Sequence, residues 1–222
     1  MSDLRERRST YALAMTTARV LLVHGAATTA QVWDRVRVQL EHEGLEVDTP
    51  DRASSGDLAV ELAALDPTDA LVVGVSGGAT LGLALASSRP LVGAVLHEPA
   101  VGTLVPGLLD HVVAGWTAGG VTGFGTALYG PSWDPTMAPA DPGAVGRDLA
   151  MFRRFEPAAL HPDQGPVVVT VGALSPAARH DAAWALHELL GVEVRVLPGT
   201  GHFVQRDNPA ALVAVIRSLA AR

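Results

Sequence analysis

The amino-acid sequence predicts an α/β protein in which about six mostly parallel strands form one sheet with helices on both faces. Short apolar runs rich in β-branched residues alternate along the chain with stretches of helical periodicity. Glycines and polar residues follow several of these runs, as expected where parallel strands end in loops. With 222 residues, 48% of them hydrophobic, the chain is long enough for one domain with a sizeable core.

The first predicted strand, 19–24, is an apolar run that leads into a tight loop at His24-Gly25-Ala26-Ala27. Apolar residues at helical spacing then predict an amphipathic helix that stops before Gly44, with Trp33 in the core. A short strand is expected at 45–48. These elements form the first strand–helix–strand unit.

The next helix is expected over 58–65, because Asp57 precedes it as an N-cap and Pro67 follows it as a stop signal. Glu61 is placed on the outer side of this helix. The remaining strands are expected at 71–73, 91–96, 166–172 and 192–197, and the remaining helices of the sheet layer at 79–86, 177–190 and 209–221.

The segment between Ala100 and Gly165 differs in composition, with frequent glycine and proline and a cluster of aromatic residues. No strand pattern interrupts it. We expect helices near 104–118 and 143–155 joined by loops, which makes this segment an insertion that does not join the sheet.

Ser76 lies between glycines in Gly74-Val75-Ser76-Gly77-Gly78, at the point where a buried strand turns into a small-residue helix. This is the Gly-x-Ser-x-Gly pattern of a nucleophile elbow. A side chain at Gly74 or Gly78 would crowd the turn, and a strained backbone exposes the serine hydroxyl. The N–H of Gly77 then faces any oxyanion that the hydroxyl creates. An N-cap serine in an ordinary glycine-rich turn is the simpler alternative.

Composition argues against several function classes. The net charge is −7, with no Lys/Arg cluster beyond 5–8, so no nucleic-acid partner is expected. The chain has no cysteine, and its histidines lack ligand-like spacing, so we expect no disulfide, metal or other cofactor. No apolar stretch suits a secretory signal or a membrane span, which favours a cytoplasmic protein without membrane contact. Residues 1–17 are expected to form either a flexible arm or an edge element.

His24-Gly25, the serine elbow and Gly201-His202 occur in the order and at the strand ends found in the α/β-hydrolase superfamily, and the chain most resembles compact esterase-type members. The resemblance implies one α/β-hydrolase domain over 1–222 with a small helical cap at 100–165. It assigns Ser76 as nucleophile, His202 as general base, and the N–H groups of Gly77 and Ala26 as the oxyanion hole. His24 is expected to organise its loop by hydrogen bonding.

The acid is where the sequence departs from the superfamily pattern. The usual Asp position in the turn after the next-to-last strand is Ser175, which cannot supply a negative charge. Glu98 follows the strand after the elbow, where a carboxylate can reach the same histidine, so Glu98 is the favoured acid. Asp181 is the weaker candidate. A dyad of Ser76 and His202 without a carboxylate stays open.

Four aromatic residues of the insertion, together with Met137 and Phe152, are candidates for an apolar substrate pocket. For any one of them packing in the core of the cap is favoured, whereas two or three of them together are expected to line the pocket. These four are Trp116, Phe124, Tyr129 and Trp133. The expected function is that of a serine esterase or lactonase acting on a small-molecule substrate, with the oligomeric state undetermined. Two alternatives stay open: a non-hydrolytic ligand-binding or receptor-like homologue, and a lyase or carbon–carbon hydrolase using the same site.

Overall fold

The computed structural model describes residues 18–220, which form a six-stranded parallel sheet with strand order β2-β1-β3-β4-β5-β6. All five strand pairs are parallel. The predicted fold class is therefore confirmed. The strands are β1 (Arg19–Val23), β2 (Glu46–Asp48), β3 (Ala70–Val75), β4 (Gly93–His97), β5 (Val167–Gly172) and β6 (Glu193–Leu197).

Helices connect the strands much as the periodicity predicts, and a short helix before the last one was not predicted. The N-terminal arm predicted for 1–17 lies outside the described residues. The helices are α1 (Asp34–His42), α2 (Leu58–Ala63), α3 (Gly77–Ser88), α4 (Asp110–Tyr129), α5 (Ala144–Arg153), α6 (Ala177–Leu190), α7 (Val204–Asp207) and α8 (Pro209–Ala220).

Consecutive residues of the central strands pack into two different cores, one on each face of the sheet. Leu21 and Val72 contact the core that contains α3, α4, α5 and α6. Val20 and Val73 contact the core on the other face, formed with α1 and α8. Because side chains alternate along a strand, a strand buried on both faces must be apolar throughout. The continuous apolar runs of the sequence have this origin.

Between β4 and β5 the chain forms helices α4 and α5, and α4 is longer than predicted. A break at Gly119–Gly120 divides it into two helical halves, of which only the first was expected. The halves approach closely, because a Cβ built on Gly115 would lie 2.5 Å from the carbonyl oxygen of Gly123. The glycines that weaken the helical pattern in the sequence are thus required by the packing of the two halves.

Glu61 does not face solvent, so its predicted placement on the outer side of α2 is wrong. The residue is 1% exposed and its carboxylate lies 3.2 Å from Nη1 of Arg52. The pairing satisfies a carboxylate that would otherwise be costly to bury. The predicted N-cap of α2 is confirmed, since the Asp57 side chain accepts hydrogen bonds from the N–H groups of Ala59 and Val60.

Among residues 18–220, every helix lacks either the length or the apolarity that a membrane span requires.

Candidate active site

Ser76 occupies a strained turn between β3 and α3, with φ 57° and ψ −123°. A Cβ at Gly74 would overlap the carbonyl of Gly78, and a Cβ at Gly78 would overlap the carbonyl of Val23. The expected crowding at both glycines is therefore confirmed. Only residues without a side chain let α3 approach the sheet this closely, and the turn leaves Ser76 at the carboxyl edge of the sheet.

The loop after β1 lies directly beside this turn. A Cβ built on Gly25 would be 3.0 Å from Cβ of Ser76 and 2.6 Å from the hydroxyl oxygen of Tyr129. Tyr129 donates a hydrogen bond to the carbonyl of Ala26 at 2.6 Å, which fixes the peptide on one side of Ala26. The backbone at Ala27 has a positive φ of 56°. The hydrogen bond from Tyr129 thus holds this loop from the α4 side.

His24 is held as a neutral ring. Its Nε2 accepts a hydrogen bond from the backbone N–H of Arg52 at 3.1 Å, so the ring proton is assigned to Nδ1, which donates to the carbonyl of Gly25 at 2.9 Å. Burial lowers the pKa of His24 to about 3, and the nearby charge of Arg52 acts in the same direction. The geometry fits the loop-organising role expected of His24.

Arg52 links this loop to the helices between β4 and β5, and no sequence pattern predicted this role. Its Nε donates to the carbonyl of His24 at 3.0 Å, and its Nη2 donates to Asp148 of α5 at 2.6 Å. The side chains of Arg52 and Asp148 are each 1% exposed. A buried ion pair of this kind ties the loop after β1 to α5.

Glu98 and His202 meet, although they are 104 residues apart in the chain. Oε2 of Glu98 accepts a hydrogen bond from Nδ1 of His202 at 2.7 Å, and both residues are buried. Glu98 follows β4 with a positive φ of 49°, a conformation that is uncommon for a residue with a side chain. The strand-end carboxylate therefore reaches the histidine in the way expected for the favoured acid candidate.

The other oxygen of Glu98 is held by the turn that usually carries the acid. Oε1 accepts hydrogen bonds from the backbone N–H of Gly172 at 2.9 Å and from the Ser175 hydroxyl at 2.5 Å. Ser175 thus supports a carboxylate that comes from the neighbouring strand. Asp181, the weaker acid candidate, is exposed on α6.

The charge states of this pair suit proton transfer. Burial lowers the pKa of His202 to about 4, the charge of Arg179 adds to the lowering, and the hydrogen bond with Glu98 opposes it. Burial alone would raise the pKa of Glu98, but His97, the hydrogen bond from His202 and the charge of Arg179 together lower it. At neutral pH a neutral imidazole therefore faces an ionised carboxylate.

His97 is a further buried residue that the sequence analysis did not single out, although it adjoins Glu98 at the end of β4. Its two ring nitrogens lie 3.0 Å from the Thr170 hydroxyl and 3.1 Å from the carbonyl oxygen of Gly201. Burial lowers the pKa of His97. The neutral ring fastens the backbone immediately before His202 to the sheet.

Nε2 of His202, the nitrogen that would act on Ser76, is buried and makes no hydrogen bond with any residue of the described chain. Tyr129 contacts both sides of the site, because its hydroxyl interacts with the Ser76 side chain and its ring centroid is 5.5 Å from that of His202. The hydrogen bond between a catalytic base and its nucleophile is often long or poorly aligned until substrate binds. The roles assigned to Ser76 and His202 stay predictions.

A small apolar pocket of about 20 Å³ opens beside Ser76. Of the four aromatic residues predicted to bind substrate, Phe124 lines it. Trp116 packs edge-on against Phe124 with ring centroids 6.4 Å apart. Tyr129 hydrogen-bonds to the loop after β1, and so does Trp133, which donates to the carbonyl of Ala27 at 2.8 Å. The pocket is lined by Ala26, Ser76, Gly77, Ala100, Leu109, Val112, Phe124, Leu128, Leu149, Phe152 and Arg179.

Comparison with known proteins identifies the family of this fold. The model of the alpha/beta hydrolase family matches residues 20–215. The chain belongs to the alpha/beta hydrolase family. No protein of curated function matches this family member in sequence.

Solved structures share its fold. A thermophilic esterase from Thermogutta terrifontis is 20% identical, with a TM-score of 0.67 over 91% of this chain and 89% of the esterase. The esterase RhEst1 from Rhodococcus sp. ECU1013 is 20% identical, with a TM-score of 0.69 over 92% and 90% of the two chains. A thioesterase domain from the curacin biosynthetic pathway is 20% identical, with a TM-score of 0.62 over 91% and 92%. At these identities the similarity concerns the fold.

Proposed function

We propose that this member of the alpha/beta hydrolase family is a serine hydrolase that cleaves a small ester or lactone through an acyl-enzyme. The observation that carries the proposal is the 2.7 Å hydrogen bond between His202 Nδ1 and Glu98, formed beside the strained Ser76 turn. A histidine oriented by a buried carboxylate, beside a serine at the carboxyl edge of the sheet, is the arrangement that activates a hydroxyl for acyl transfer.

In the first step Nε2 of His202 takes the Ser76 proton while the serine oxygen attacks the carbonyl carbon. The imidazolium that forms is stabilised by the ionised carboxylate of Glu98, which also keeps the Nδ1 proton in place. The strongly lowered pKa of His202 keeps the ring unprotonated at neutral pH, so the base is available before substrate arrives.

The tetrahedral oxyanion accepts hydrogen bonds from the N–H groups of Gly77 and Ala26. Each such donor is worth about 3–4 kcal/mol of transition-state stabilisation. When the intermediate collapses, the carbon–oxygen bond to the alcohol breaks and the alcohol takes the proton from His202. Water then attacks the acyl-enzyme by the same route, gives its proton to His202, and releases the acid and the Ser76 hydroxyl.

The size of the pocket supports a small acyl group. About 20 Å³ is little more than one water molecule requires, which is roughly 10–15 Å³. Phe152 also limits the space near the elbow, because a Cβ on Gly77 would overlap its ring. The similar folds of two esterases and a thioesterase domain support acyl transfer as the reaction class.

The test combines turnover and labelling. Ser76→Ala is expected to abolish hydrolysis of p-nitrophenyl acetate while the protein stays folded, and a fluorophosphonate probe is expected to modify Ser76 of the unaltered protein. Ser88→Ala is a matched control, since Ser88 is exposed at the other end of the same helix, α3. Turnover that survives in Ser76→Ala refutes the nucleophile assignment.

The two rival functions give different results in the same assays. A ligand-binding homologue would leave Ser76 unlabelled and hydrolyse no ester. A carbon–carbon hydrolase would be labelled and would turn over ketone-type substrates in preference to esters.

A further inference from the structure

Arg179 lines the pocket beside Ser76, and the mechanism above gives it no contact with substrate. The residue lies in the first turn of α6 and is 4% exposed. The rest of the pocket lining consists of Ser76 and apolar residues, apart from its backbone groups. Burial lowers the pKa of Arg179 and the charge of Glu98 opposes this, and an arginine keeps its charge at every working pH.

The guanidinium group is only partly satisfied within the described chain. Nη1 donates to the backbone carbonyl of Glu98 at 3.2 Å, and Nε lies 3.7 Å from Oε2 of Glu98, beyond ordinary hydrogen-bond distance. The carboxylate of Glu98 already accepts from His202, Gly172 and Ser175. A guanidinium has five N–H donors, and these two contacts with Glu98 use no more than two of them.

Arg179 lines the Ser76 pocket and has donors that Glu98 does not use, and the planar fork of arginine matches a carboxylate in bidentate geometry. We propose that Arg179 binds a carboxylate on the acyl part of the substrate, so that the preferred substrates are half-esters of short dicarboxylic acids. This inference rests on the proposed function, because it concerns the same pocket and the same serine.

The position of Arg179 limits the length of such a substrate. Arg179, Ser76 and Gly77 line the same pocket, and its volume of about 20 Å³ favours the shortest half-esters. The adjoining larger concavity of about 230 Å³ is lined by Leu109, which both spaces share, and by Arg153. Arg153 is exposed, and it supplies a matched arginine that lies outside the Ser76 pocket.

The kinetic test compares each half-ester with a neutral ester of the same shape. Monoethyl oxalate, malonate and succinate are paired with ethyl 2-methylpropanoate, 3-methylbutanoate and 4-methylpentanoate, in which methyl groups replace the carboxylate oxygens. For at least one pair we expect kcat/KM to favour the half-ester by about ten-fold or more, since a site built for a polar group rejects its apolar isostere. Equal or inverted ratios for all three pairs would overturn the inference.

The variant Arg179→Met is expected to remove this preference, and Arg179→Lys to keep part of it. The ratio of the two kcat/KM values is the readout, because any effect of Arg179 on Glu98 changes both substrates alike and cancels. Arg153→Met is expected to leave the ratio unchanged. A parallel loss on both substrates in Arg179→Met, with the ratio preserved, would assign Arg179 to the positioning of Glu98 and overturn the binding role.

Binding measured without turnover separates this inference from the proposed function. Calorimetric titration of Ser76→Ala with monoethyl malonate and monoethyl succinate is expected to show binding that Ser76→Ala/Arg179→Met loses. If that binding is found while the unaltered protein hydrolyses no ester, the carboxylate site stands and the hydrolase proposal fails. If p-nitrophenyl acetate is hydrolysed but no half-ester binds or is preferred, the hydrolase proposal stands and the carboxylate site fails.

Discussion

The two halves of the candidate active site are built in different ways. On the side of Ser76, backbone conformation and the lack of side chains at Gly74 and Gly78 determine the geometry. On the side of His202, side chains determine it, through the hydrogen bonds that join Glu98 to His202, Gly172 and Ser175. The first half depends on close packing within a few consecutive residues, whereas the second depends on contacts between distant parts of the chain.

This difference predicts two kinds of response to substitution. A side chain added at the elbow must displace backbone atoms, so it should lower the free energy of unfolding. A side chain changed in the His202 half alters one hydrogen bond among several, so it should lower the rate in graded steps and leave the fold intact. The following variants test this contrast, in order of decreasing expected effect.

Glu98→Gln keeps the size of the side chain and removes its charge, and it has the largest expected effect. An amide can present its NH₂ group to Nδ1 of His202, which favours the wrong tautomer and gives no charge to stabilise the imidazolium. We expect kcat on p-nitrophenyl acetate to fall by up to about 10⁴-fold. The thermal midpoint of unfolding, measured in parallel, distinguishes this loss from unfolding.

Asp181→Asn is the matched carboxylate-to-amide control, because Asp181 is exposed on α6. We expect it to change kcat little. The reverse result would assign the acid role to Asp181, and small, equal effects of both variants would favour a dyad of Ser76 and His202.

Gly78→Ala adds one methyl group where it would overlap the carbonyl of Val23. We expect the free energy of unfolding to fall by about 3 kcal/mol, the upper end of overpacking costs, as measured by urea denaturation. In Gly119→Ala the added Cβ meets nothing within 4 Å, so stability should stay within about 1 kcal/mol of the unaltered protein. Similar midpoints for both variants would contradict the role of close packing at the elbow.

Ser175→Ala removes one of the donors to Oε1 of Glu98 and leaves Gly172 in place. Hydrogen bonds to a charged group are worth about 1.5–3 kcal/mol, so we expect kcat to fall by about ten-fold with KM nearly unchanged. Ser175→Thr keeps the hydroxyl and should restore most of the rate. A loss as large as that of Glu98→Gln would mean that the carboxylate depends on this one donor.

The contrast also explains what could be predicted from the sequence. The Ser76 turn is a local pattern of five residues, so it was predicted together with the crowding at Gly74 and Gly78. Glu98 could be proposed because parallel strands end at one edge and Ser175 carries no charge. The alternation of strands and helices was equally accessible, because burial on both faces of the sheet makes each strand apolar throughout.

The remaining features depend on contacts that no local pattern records. Arg179 and Glu98 are 81 residues apart, and Arg52 and Asp148 are 96 apart. Glu61 was placed on the surface because a charged residue normally faces solvent, and its burial depends on the pairing with Arg52 and on hydrogen bonds from Ser55. The second half of α4 was missed because its glycines weaken the helical signal in the sequence. The same glycines are required by the close packing of the two halves.

The smallest expected effect is a shift in pH dependence, and it tests how the side-chain half is charged. Catalysis requires neutral His202, so kcat/KM should rise with pH through the pKa of this group and then level off. With the pKa lowered to about 4, the rise should be complete below neutral pH. Because the charge of Arg179 contributes to that lowering, Arg179→Met should raise the pKa of His202 and move the rise in kcat/KM toward higher pH.

The profile is measured with p-nitrophenyl acetate, and circular dichroism at each pH establishes that the protein is folded. A rise centred near 6.5, the ordinary pKa of histidine, in both proteins would mean that His202 is solvated when it acts.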